Sequence, residues 1–70
     1  MEWNEPIYTR RLATFSHSTW DLHVVVEKEQ RRSTYKVTLL LGSGGSVLKE
    51  RLSKHAALAF AATVTMTPEA

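Results

Sequence analysis

Apolar and polar residues alternate most cleanly over residues 20–27. Trp20, Leu22, Val24 and Val26 fall on one side, and Asp21, His23, Val25 and Glu27 on the other. A period of two marks a strand with one buried face. The same period returns over Thr34–Leu41, with Tyr35, Val37, Leu39 and Leu41 facing one way and Thr34, Lys36, Thr38 and Leu40 the other. Both stretches are rich in β-branched and aromatic residues, which suit a pleated surface. The intervening "EKEQRRSTYK", Glu27–Lys36, is then a hairpin connection with Gln30–Ser33 near its tip. It lacks Asn-Gly or Asp-Gly, so pattern alone assigns no turn type.

The flanking patterns are weaker. Met1–Pro6 reads as a flexible lead-in, and Pro6 suits the residue just before a strand. Ile7–Phe15 follows as a first strand whose faces both mix apolar and polar residues, as an edge strand's do. The polar "SHST", Ser16–Thr19, is a turn. "GSGGS", Gly42–Ser46, ends the third strand as a flexible turn, and Val47–Leu52 is either a short fourth strand, the favoured reading, or the lead into the helix. Ser53 is placed to cap a helix, because its hydroxyl can accept from a free first-turn amide. Lys54 to about Met66 is alanine-rich and helical by propensity. Pro68 disfavours helical geometry at Thr67, so residues 67–70 form a flexible tail.

These elements predict a single α+β domain over residues 1–70. Its plan is a four-stranded, at least three-stranded, antiparallel meander followed by one C-terminal helix packed on one sheet face. Trp20, Leu22, Val24, Val26, Tyr35, Val37, Leu39, Leu41 and Phe60 are the expected core. On a helical wheel Leu52, Ala56, Phe60 and Val64 form a stripe that Ala57 and Ala61 widen. Leu58 and Ala62 then lie towards the other side, where a surface helix normally keeps polar residues. That predicts a protein partner or self-association on the helix, with Leu58 and Ala62 as interface residues. Val25 and Leu40 are neighbours on the face away from the helix and form a second candidate protein-binding patch.

Seventy residues bury a modest share of their unfolded surface, so a partner subunit would help such a chain. The absence of cysteine excludes disulfides and fits a reducing compartment. Residues 1–4 are not basic and no apolar core region follows, so no secretory signal is read and a cytoplasmic setting is expected. The longest apolar run, Ala56–Ala62, is far below the ~20 residues that span a bilayer, so no membrane association is expected. The formal net charge is +2, yet all nine Lys and Arg lie between Arg10 and Lys54, against four acids there. A basic body favours acidic partners, nucleic acid among them.

Catalytic patterns are missing. His17, His23 and His55 have neither the number nor the spacing of a zinc site. "SHS", Ser16–Ser18, has no nucleophile elbow around it. Glu27 and Glu29 share strand parity but belong to an exposed hairpin end, where solvated charges are expected. "LGSGGS" fails the dinucleotide fingerprint because Val47 holds the third-glycine position, and no Gly-Lys-Ser/Thr follows. One sheet and one helix rarely enclose a water-excluding pocket. The expectation is a non-enzymatic protein with no cofactor, metal or small-molecule substrate.

Binding is the expected role, and nucleic acid is the first candidate. Arg10, Arg11, Lys28, Arg31, Arg32 and Lys36 lie on the strands and the hairpin, and Tyr8, Tyr35 or Trp3 could add stacking surface. The stretch "SKHAALAFAATV", Ser53–Val64, resembles the closing helix of the double-stranded-RNA-binding domain over those dozen residues. That resemblance implies a helix laid on a sheet. The family's leading helix has no counterpart here, and no residue role is carried over. The alternative is a protein-interaction module, either a small homodimer or an inhibitor or adaptor of a larger protein.

Overall fold

The computed structural model describes residues 2–10 and 12–65. Four strands, β1 (Ala13–Ser16), β2 (Leu22–Lys28), β3 (Tyr35–Leu41) and β4 (Gly44–Leu52), precede one helix, α1 (Lys54–Thr65). The strands form one antiparallel sheet in chain order, and α1 packs against it, chiefly on β2 and β3. The predicted meander and closing helix are therefore observed, with a fourth strand longer than expected.

The period-two pattern sets the faces. Val24, Val26 and Val37 point to the helix side and are fully buried, together with Ala13 and the helical Ala57 and Ala61. Phe15 completes this core, and Trp3, Leu12, Tyr35, Leu39, Leu52, Leu58, Phe60 and Val64 pack around it. The helix meets the sheet through alanines, which lets its backbone lie close to the valines. Ser53 caps it as expected: Ala56 N–H donates to Ser53 Oγ at 3.1 Å, and Ala57 N–H to the Ser53 carbonyl at 2.9 Å. The expected C-terminal tail, 67–70, lies outside the described residues.

Several expectations are corrected. Ile7–Phe15 is not one strand. Leu12 N–H bonds the Thr9 carbonyl, Leu12 adopts φ +102°, and the chain doubles back so that Ile7 bridges Thr14. Ahead of it, Trp3 bridges His17, and Asn4 N–H donates to the Ser16 carbonyl. Trp20 is 68% exposed and Leu41 63%: Trp20 lies in the loop before β2, which starts at Leu22, and Leu41 is the last residue of β3, beside the Gly42–Ser43 loop. Leu22 is half-buried.

The third connection is a two-residue loop, Gly42–Ser43, not a five-residue turn. Gly42 has φ +59° and Ser43 does not share the positive sign. Positive φ at the first loop position alone is the mark of a type II′ hairpin, and glycine supplies it without strain. On β4, register shifts follow Val47 and Lys49, and Arg51 takes φ +58°. These bulges bend the outer strand over its last residues.

Because Ala61 is fully buried against the sheet, Ala61→Leu is expected to destabilise the fold by about 1–3 kcal/mol through overpacking. Ala59→Leu, on the exposed side of α1, should stay within about 0.5 kcal/mol of the parent. Urea unfolding midpoints at unchanged slope measure both.

Candidate nucleic-acid interface

The site is built on the end of the sheet that carries the β2–β3 connection. Lys28 pairs with Tyr35, and Tyr35 with Leu52, so these three residues form the last row of the ladder. Beyond it Glu29 N–H donates to the Thr34 carbonyl at 2.9 Å, and Arg32 N–H to the Glu29 carbonyl at 3.3 Å. Arg31 takes φ +60° at the tip. The connection is thus a hydrogen-bonded turn that holds Lys28, Arg31 and Arg32 exposed around a shallow open depression.

Glu29 organises this end. Its side chain is 10% exposed. Glu29 Oε1 accepts from Arg51 N–H in the bulge of β4 and, at 3.2 Å, from Thr34 Oγ1. Glu29 Oε2 lies 3.9 Å from Arg32 Nε. A solvated charge was expected at this position, and the structure corrects that. The carboxylate is turned inward, where it ties the turn to the edge strand. Parity could not show this, because Glu29 sits beyond the strand end, and its main partner is a backbone N–H created by the bulge.

The expected cations divide into groups. Lys28, Arg31 and Arg32 share the turn. Arg10 is exposed in the preceding turn, which projects from the same end of the sheet because Ala13 lies opposite Val26. Lys36 is half-buried on the face away from the helix, with Nζ 3.9 Å from Glu27 Oε1. Arg11 lies outside the described residues. Sequence reasoning missed Arg51 and Lys54, both exposed at this end through β4 and the start of α1. The pattern gave no hint of Arg51, whose placement depends on the bulge. From Arg10 to Arg51 the cations cross the width of four strands, about 15 Å. The opposite end carries Glu2 and Asp21, both exposed.

The aromatic candidates are mostly occupied. Tyr35 and Trp3 pack around the core, and Trp3 meets the His17 ring edge-on at 5.1 Å. Tyr8 is exposed. The protein-interface candidates are also redistributed. Leu58 packs on the core and Ala62 is half-buried, so the outward position expected for Leu58 is not observed. The exposed line of α1 is His55, Ala59 and Thr63, because the wheel is centred on Ala57 and Ala61 and not on Phe60. Phe60 is half-buried under Lys49, whose Nζ lies 5.3 Å from the ring centre. Val25 and Leu40 do lie on the face away from the helix, but Val25 is buried and Leu40 half-buried. Leu40 leans over Gly45, where an added Cβ would fall 2.8 Å from Leu40 Cδ2.

Among the described residues no group of three His, Asp or Glu side chains could hold a metal ion, and no helix is long and apolar enough to cross a membrane. No protein-family model, curated protein or solved structure matches the chain.

Glu29→Ala strands the Arg51 N–H and should cost about 1–3 kcal/mol. Glu29→Gln keeps an acceptor at the same reach and should cost less. Thermal unfolding of the two variants side by side gives the comparison.

Proposed function

We propose that the protein binds a nucleic-acid phosphate backbone through the cationic end of its sheet. Arg10, Lys28, Arg31, Arg32 and Arg51 are its contacts. The observation that carries this reading is the inward turn of Glu29. The acid nearest the arginines is turned inward, with Oε1 on the Arg51 N–H and Oε2 3.9 Å from Arg32 Nε, so Lys28, Arg31 and the outer side of Arg32 form an exposed basic surface on the turn. Phosphate contacts need exposed cations in a fixed row and no enclosed pocket, and this end offers that row. With Trp3 and Tyr35 packed on the core, base stacking contributes little. The reading is therefore backbone recognition without strong sequence preference. A non-enzymatic role in the cytoplasm belongs to the same proposal. The helix offers a protein partner less than its sequence suggested, because its large apolar side chains face the core.

The test is fluorescence anisotropy with a labelled mixed-sequence duplex at rising salt. Five phosphate contacts predict a slope of log affinity on log salt of about −4.5. Arg31→Glu combined with Arg32→Glu should weaken binding at least about tenfold while circular dichroism is unchanged, because both side chains are exposed. Binding that survives the double reversal, or no binding at about 50 mM salt, would overturn the proposal.

A further inference from the structure

Trp20 is the most exposed large apolar side chain of the described residues, and the loop that carries it is held rigidly. The His17 side chain, 6% exposed, accepts the backbone N–H groups of Thr19 and Trp20 on Nδ1, both at 3.1 Å. Ser18 donates to the Glu2 carbonyl through its N–H at 2.7 Å and through its hydroxyl at 2.9 Å. Leu22 N–H closes onto the Trp20 carbonyl at 2.8 Å, and Gly42 N–H bonds the Asp21 carbonyl at 3.0 Å. The last of these bonds sets the loop beside Leu41, which is exposed in its turn. A braced loop that offers tryptophan to solvent loses little freedom when the ring is covered. Tryptophan is also the side chain most enriched at binding hot spots.

The surroundings select the partner. The exposed acids of this end are Asp21, next to Trp20, and Glu2, bonded to the same loop; Asp21 Oδ1 lies 3.3 Å from His23 Nε2 and Glu2 Oε1 3.4 Å from His17 Nε2, yet both side chains remain open to solvent. The opposite end carries the shallow depression lined by Lys28, Glu29, Arg31, Arg32 and Ser33, in which the Glu29 carboxylate is turned inward and three cations stand exposed. Arginine planes stack on indole rings, and the flanking acids would meet the remaining cations. We propose that the Trp20 end of one copy docks in the Arg31–Arg32 depression of a second copy. The contact is head-to-tail, so each docked pair leaves one free end of each kind, and assembly continues into chains or closed rings. This inference does not depend on the nucleic-acid reading, although it uses the same cationic surface. A phosphate backbone and a second copy would compete there.

Sedimentation equilibrium without nucleic acid, from low micromolar to about 1 mM, tests the assembly. The wild-type mass should rise with concentration and fall back on adding salt. Trp20→Ala, an exposed position that leaves the fold unchanged by circular dichroism, should weaken association at least about tenfold. Arg31→Glu with Arg32→Glu should do the same. An equimolar mixture of the two variants keeps one intact Trp20 end and one intact cationic end. It should form a one-to-one dimer and nothing larger. A wild type that stays monomeric throughout, a Trp20→Ala chain that assembles like the parent, or a mixture that stays monomeric would each overturn the proposal. Duplex binding by Trp20→Ala reports on the nucleic-acid reading separately, because that variant retains every proposed phosphate contact.

Discussion

Everything in this fold rests on the contact between the alanine line of α1 and three valines of the sheet. Ala57 and Ala61 lie directly on a surface made by Val24, Val26 and Val37, and all five are fully buried. Small side chains on the helix permit a short separation, and β-branched side chains on the strands give a stiff bed for it. The core is dense but thin, as expected of a chain of this length. Rows away from that contact receive little cover, which is why Leu41 and Trp20 emerge into solvent although they share the parity of buried neighbours.

A thin core shifts work to hydrogen-bonded braces at the two ends of the sheet. At one end Glu29 joins the β2–β3 turn to the bulged strand. At the other His17 gathers the backbone of the loop after β1. Both side chains are largely withdrawn from solvent, at 10% and 6% exposure. Both satisfy backbone N–H groups that no ladder reaches, the role that short polar side chains fill elsewhere. Each brace also settles the character of its own end. Drawing Glu29 inward leaves arginines outward, and anchoring the loop on His17 leaves tryptophan outward.

Period-two alternation identified β2 and β3 nearly to the residue, and the serine cap located the start of α1. Those signals are local and reflect burial on one face, so they survive into the structure. What the pattern could not convey was longitudinal cover. Trp20, Leu22, Val24 and Val26 look equivalent by parity, yet only the latter two are fully buried. The kink at Leu12 and the bulges of β4 were equally hidden, because positive φ at leucine or arginine leaves no compositional mark. The basic turn was legible as a cluster of charges. Its pairing with Arg51 was not, since a bulge decides which edge residue meets Glu29. On the helix, centring the wheel on Phe60 misplaced Leu58, because bulk was taken as the guide to burial where close approach had selected alanine.

The strand order carries a kinetic consequence. Neighbouring strands of the sheet are consecutive in the chain, and the three connections span five, six and two residues. Loop closure at every step is therefore local, with little chain entropy lost before the next pairing is rewarded. A meander of this kind belongs among the faster-folding mixed domains, where contacts are close in sequence. The helix, which follows the four strands, docks on a sheet whose three buried valines lie on adjacent strands. During synthesis the hairpins can form in the order in which they emerge, and closure of the core waits only for the final turns of α1.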